Sequence, residues 1–197
     1  VNSQFDEEKY ILEAVGGLSG GGMTLLDIGA WDPVTFSNSR ALLEKGWGGI
    51  LIEPSPVPLW NLMKAYADRQ NVTIIAAAVG LHPGLTKFKM TADAVSSADE
   101  NVWGVWKDAG GYVGSCLVPM LSLQDIFNRF GGDFQFVNID TEGTSVDLAI
   151  QLFDAGPRPQ CLCVEHDSRL EELCAKATQK GYMLSYSNGT NAVLVRR

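Results

Sequence analysis

The stretch "LLDIGAWDPVTFSNS", residues 25–39, has the form of a strand that runs into a ligand-binding turn. Leu25, Leu26 and Ile28 supply the apolar run of a buried strand. Asp27 interrupts it, and Gly29 and Ala30 are small enough for another group to come close to the backbone. A loop that cradles a pyrophosphate would continue as G-x-G-x-x-G, whereas Trp31, Asp32 and Pro33 follow here. Asp32-Pro33 is instead a helix-start signal. The carboxylate accepts from the first unpaired amides, and proline has the φ of a first helical position. The positive end of such a helix suits a carboxylate on the ligand and asks for no phosphate.

The 197 residues fit one domain, 1–197, with a sizeable core. Hydrophobic content of 46% and charged content of 19% describe an ordinary globular chain. A net charge of -8 argues against steering toward a nucleic-acid backbone, so a small-molecule partner is expected and no nucleic acid. No apolar run approaches the ~20 residues of a membrane span, so no membrane partner is expected either. Cys116, Cys161, Cys163 and Cys174 show no zinc-ligand spacing, and the last strand-borne pair (Cys161, Cys163) reads as buried free thiols. With a start, "VNSQFDEEKY", that carries no signal-peptide pattern, a reducing, cytoplasmic setting is expected.

Outward from the opening stretch, apolar β-branched runs alternate with helical-period segments. Strands are expected at 24–28, 49–53, 72–79, 134–140, 161–166, 182–187 and 192–197. A helix is expected at 6–16. Ser55-Pro56 should open one with a stripe of Leu59, Leu62, Met63 and Tyr66. Ser122 with Asp125 is a capping box closed by Gly131. Thr144 or Ser145 should cap a helix that stops at Gly156, and Ser168 one that stops at Gly181. "LTKFKM" alternates like a strand that "YVGSCLV" can pair with. The polar, glycine-rich excursion 92–114, carrying Trp103 and Trp106, is expected to be a substrate lid. Its tryptophans would stack on an acceptor ring or anchor the loop to the core.

Strand-helix alternation implies a doubly wound parallel sheet with helices on both faces. The last two strands are joined by "SNGTN", too short for a crossover helix, so they should form an antiparallel hairpin. A Rossmann-like α/β sheet that is mostly parallel with one reversed C-terminal strand is the class I methyltransferase sheet. Dinucleotide-binding dehydrogenases usually have all-parallel sheets.

Ligands of open α/β sheets bind beyond the carboxyl ends of the strands. The first strand brings Asp27, Gly29, Ala30 and Trp31 there, and the second brings Glu53, Pro54 and Ser55. An acid ending the second strand is placed to receive two ribose hydroxyls. Ser37 and Asn38, in the first turns after the loop, are secondary binding candidates. "NIDTEGTS" and "VEHDS" bring Asp140, Glu142, Glu165, His166 and Asp167 to the same rim. Asp167 reads as a helix cap and His82, in "LHPG", as a turn residue.

Together these motifs make the chain resemble the FkbM family of S-adenosylmethionine-dependent methyltransferases. The likeness runs through "LLDIGAWDPVTFSNSRALLEKGWGGILIEPSP", "AAAVG", "LSLQDIF", "FVNIDTEGTSVDLAI" and "CLCVEHDS", preceded by "NSQFDEEKYI". Trp31 and Pro33 depart from the family's usual Asn and Gly. The resemblance implies methyl transfer from S-adenosylmethionine, with S-adenosylhomocysteine as product, to a hydroxyl of a sugar or secondary metabolite. It adds Ala77 and Ala78 of "AAAVG" to the expected cofactor contacts. Asp140, His166 and Glu142 are then the expected catalytic groups, with His166 the general base since its pKa near ~6.5 leaves it neutral at pH 7. If a divalent ion binds, its expected ligands are Asp140, Glu165 and His166, as in catechol-type methyltransferases. The metal-free version is favoured, because histidine is an awkward ligand for Mg²⁺. The competing readings are a nicotinamide-dependent oxidoreductase and a non-catalytic cofactor-binding module.

Overall fold

The computed structural model describes residues 2–18, 22–91 and 112–197. In chain order its elements are α1 (Glu7–Val15), β1 (Thr24–Ile28), α2 (Arg40–Glu44), β2 (Gly48–Ile52), α3 (Pro56–Ala65), β3 (Val72–Ile75) and β4 (Ala78–Val79). Then come β5 (Gly84–Thr91), β6 (Tyr112–Leu121), α4 (Leu123–Phe130), β7 (Phe136–Ile139), α5 (Ser145–Ala155), β8 (Cys161–Glu165), α6 (Leu170–Gln179), β9 (Tyr182–Ser187) and β10 (Asn191–Arg196).

A seven-stranded sheet runs β3-β2-β1-β7-β8-β10-β9. The pairs from β3 through β8 are parallel, while β10 lies antiparallel between β8 and β9. Both faces are covered, which is why the central strands read as unbroken apolar runs. Strand alternation sends Leu26, Ile28, Val137, Ile139, Leu162 and Val164 to one face, under α4, α5 and α6. Leu25, Leu51, Phe136, Cys161, Cys163 and Val193 go to the other, under α1, α2 and α3. Cys161 and Cys163 are buried free thiols, as their alternation implied. No helix among the described residues is long and apolar enough to cross a membrane.

Several local expectations change. The run 72–79 is two strands, because the chain turns at Ala76-Ala77, where the Ala77 amide bonds the Ile75 carbonyl (3.1 Å). β3 finishes the large sheet, and β4 joins a second sheet ordered β4-β6-β5. There β5 and β6 pair antiparallel, as "LTKFKM" and "YVGSCLV" predicted. Residues 92–111 of the expected lid, with Trp103 and Trp106, lie outside the described residues, and 112–114 open β6. Asp32 does accept from the Val34 and Thr35 amides (2.8 and 2.7 Å), but the turn it closes does not continue into a helix until Arg40. On α3 only Leu62 of the expected stripe is buried, and Met63 is 49% exposed. The Ser122–Asp125 capping box forms in full, and Gly131 ends α4 at φ 80°. α6 starts after Arg169 rather than Ser168, whose φ of 62° takes it out of the helix path. Asp167 accepts from the Gly143 amide across the rim instead of capping α6.

Candidate functional site

At the carboxyl ends of β1, β2 and β7 the backbone closes on itself tightly. Gly29 has φ 81°, and a Cβ built there would sit 1.7 Å from the Asp140 carbonyl oxygen. Any side chain would drive β1 and β7 apart, so the glycine serves the crossing of two protein segments. The amides of Gly29 and Ala30 are spent on the Ile52 carbonyl (3.0 and 3.1 Å), and the Asp140 amide on Ile28 (2.9 Å). The small residues of the opening stretch thus fix the rim from which the acids project.

Asp27 is buried on the β1 face covered by α2. It accepts from the Ser39 hydroxyl and from Asn138 Nδ2 (2.8 Å), and Asn38 Nδ2 in turn donates to Asn138 Oδ1 (3.1 Å). This chain of bonds makes burial of a carboxylate tolerable. Burial still raises the Asp27 pKa, with the Ser39 and Asn138 bonds opposing. Glu53, directly after β2, is 4% exposed and accepts from the Trp31 amide (3.0 Å) and the Ser55 amide (2.6 Å). Burial raises its pKa as well, against those amide bonds. Each oxygen of Glu53 keeps lone-pair capacity for a further donor.

Asp27 and Glu53 open onto a cavity of about 570 Å³. Gly29, Ala30, Trp31, Ser37, Asn38, Pro54, Ser55, Ala77 and Ala78 line it, so the expected cofactor-contact set is gathered in one place. Asp140, Glu142 and Glu165 line it as well. Burial raises the pKa of all three. Repulsion from Asp140 raises Glu142 and Glu165 further, while a hydrogen bond links the Asp140 and Glu165 side chains.

His166 is not among the residues lining the cavity. It is buried, with Nε2 3.0 Å from the Asn188 carbonyl oxygen and Nδ1 without a partner. Adjacent residues at a strand end face opposite ways, so Glu165 and His166 cannot both enter the site. His82 does line the cavity, exposed in the turn between β4 and β5. Asn138, Thr190, Asn191 and Gln4 also line it. Of these, only Asn138 had a signal in the sequence: a polar residue inside the apolar run "FVNI".

Among the described residues, the non-glycine residues with positive φ are Trp31 (38°), Phe36 (58°), Glu142 (49°), Asp167 (46°) and Ser168 (62°). All follow β1, β7 or β8 at this rim. Such conformations cost energy and persist where the surroundings enforce them. Trp31 and Phe36 stack at 5.9 Å between centroids, with both side chains on the cavity wall.

The strand order, the single reversed strand and a cavity framed by acids at successive strand ends define the class I methyltransferase fold. The chain matches no protein-family model and no curated protein. Among solved structures it is similar to the methyltransferase FkbM from Methylobacillus flagellatus KT, at TM-score 0.54 and 15% identity over 91% of this chain and 45% of that one. It is also similar to the precorrin-6y C5,15-methyltransferase of Geobacter metallireducens GS-15, at TM-score 0.50 and 14% identity over 96% and 87% of the two chains. A third is the Methanococcus jannaschii fibrillarin pre-rRNA processing protein, at TM-score 0.50 and 11% identity over 98% and 76%. The chain therefore spans less than half the length of that FkbM methyltransferase. These likenesses establish the fold and not membership of the FkbM family.

Proposed function

We propose that the protein is an S-adenosylmethionine-dependent methyltransferase acting on a hydroxyl oxygen of a small acceptor such as a sugar or secondary metabolite. The observation that carries this reading is the pairing of Glu53 and Asp27, at adjacent strand ends, with an acidic rim across one cavity of about 570 Å³. Glu53 would accept the two ribose hydroxyls, beside Ala77 and Ala78, which leave room for a flat ring. Asn38 Oδ1, buried without a partner, offers an acceptor to the ammonium of the methionine part.

S-adenosylmethionine, when bound, supplies an electrophilic methyl group. The Asp140 carboxylate would take the acceptor hydroxyl's proton, and Glu142 would orient that hydroxyl in line with the methyl group, as the O–CH₃ bond forms and the S–CH₃ bond breaks. The sulfur keeps the electron pair, giving S-adenosylhomocysteine. His166 has no part in this, because its ring is turned onto Asn188.

The fold of the fibrillarin protein is the same, so fold alone does not exclude a nucleic-acid acceptor. The net charge of -8 is what favours a small molecule. A nicotinamide oxidoreductase is less well supported, given the reversed β10 and the lack of phosphate-cradling glycines. Calorimetric titration with S-adenosylmethionine and S-adenosylhomocysteine tests the reading. Saturable binding of both is expected, and binding of NAD(H) with neither of them would overturn it.

A further inference from the structure

The rim that faces the acceptor combines three carboxylates with a neutral oxygen that has no donor of its own. Asp140, Glu142 and Glu165 each offer an oxygen, and the three oxygens lie within 4.8 Å of one another. Asn191 stands opposite Glu165 in the β8–β10 ladder and lines the same cavity. It is 3% exposed, and its Nδ2 donates to Glu7 Oε1 (2.9 Å). The carboxamide is thereby held with its oxygen turned away from Glu7, and that Oδ1 has no hydrogen-bond partner. A buried carbonyl oxygen left unpaired costs ~1–3 kcal/mol, so its retention opposite Glu165, on the wall that also carries Asp140 and Glu142, asks for an electropositive ligand.

We propose that Asp140, Glu142, Glu165 and the Asn191 carboxamide oxygen form a binding site for a hard divalent cation of the Mg²⁺, Mn²⁺ or Ca²⁺ class. The donor set is all oxygen, which is what these ions select. The sequence disfavoured a metal because His166 stood among its ligands, but His166 is turned onto Asn188 and Glu142 takes its place. The spacing also fits, because opposed ligand oxygens lie roughly 4.6–5.2 Å apart around Ca²⁺ and about 4.2 Å around Mg²⁺, so three oxygens all within 4.8 Å of one another can share one such ion. With a cation bound, Asp140 and Glu142 would serve as its ligands instead of acting on the proton directly, and the cation would lower the pKa of an acceptor hydroxyl bound to it. The site itself does not depend on methyl transfer, because cation binding is read without cofactor or acceptor.

The test is calorimetric titration of the whole chain with Mg²⁺, Mn²⁺ and Ca²⁺ separately, with Mn²⁺ binding repeated by electron paramagnetic resonance. One saturable site is expected for at least one ion. Glu165→Gln and Glu142→Gln should each weaken it at least about tenfold, since even outer-shell changes at metal sites cost that much. Glu142 lies in the loop after β7, so its variant keeps the test available if Glu165→Gln fails to fold. No saturable binding of any of the three ions at millimolar concentration would overturn the proposal. So would unchanged affinity in a folded Glu142→Gln protein.

Discussion

Replacing Gly29 by alanine should unfold this protein far more easily than the same change at another left-handed glycine. At Gly29 two costs combine. The first is the left-handed backbone, φ 81°, worth ~1–2 kcal/mol for a residue with a Cβ. The second is the crossing with β7: the new Cβ would sit 1.7 Å from the Asp140 carbonyl oxygen, and contacts under 3.0 Å are essentially never tolerated. The ends of β1 and β7 must part by more than an ångström, which breaks the buried bond from the Asp140 amide to the Ile28 carbonyl (2.9 Å). Losing that pair in the interior costs ~1–3 kcal/mol, so the total is about 2–5 kcal/mol. Gly46, between α2 and β2, is the control. Its φ is 91°, and a Cβ there meets nothing within 4 Å, so Gly46→Ala should cost only the ~1–2 kcal/mol of backbone conformation. Urea denaturation of both variants, compared at common slope, measures the difference. Equal losses would refute the crossing as the reason for glycine at position 29.

Three more outcomes are expected. Glu53→Ala should lose a charge-assisted contact worth ~1.5–3 kcal/mol, weakening S-adenosylhomocysteine roughly tenfold to a hundredfold by calorimetry; unchanged affinity in a folded variant removes Glu53 from the ribose site. His166→Ala should lower the denaturation midpoint by exposing or orphaning the Asn188 carbonyl, at ~1–3 kcal/mol, yet leave turnover per folded molecule within a few-fold, and a ~100-fold fall in kcat would restore it as a base. Ser122→Ala removes the side-chain acceptor of the capping box and should cost ~1 kcal/mol of stability, read from thermal unfolding; no change would mean that α4 is held by packing alone.

The sheet was legible because its strands are buried on both faces. Runs such as 24–28 and 161–165 are nearly pure apolar sequence, with Asp27 and Glu165 the marked exceptions. The break at Ala76-Ala77 was not legible, since "AAA" continues the apolar run with no glycine, proline or turn residue. The expected cofactor contacts were gathered on one cavity because each follows a strand end along the chain. The grouping of the rim acids was not legible, because it depends on which way a side chain turns. Glu165 and His166 are neighbours in sequence and face apart in space, while Asn191 reaches Glu165 only through the β8–β10 ladder. His82 looked like a turn residue and is one, but the turn follows β4, and that short strand delivers it to the cavity wall.

The two thiols of β8 make the central sheet a reporter of its own opening. Burial pushes both Cys161 and Cys163 well above the usual thiol range, so neither supplies the thiolate that alkylating reagents require while the sheet is closed. Cys116 and Cys174 are only partly buried. A labelling time course on the unmodified chain should therefore split into two classes. The slow class, localised to the peptide that carries residues 161 and 163, gives the free energy of separating β7, β8 and β10 without any probe being introduced.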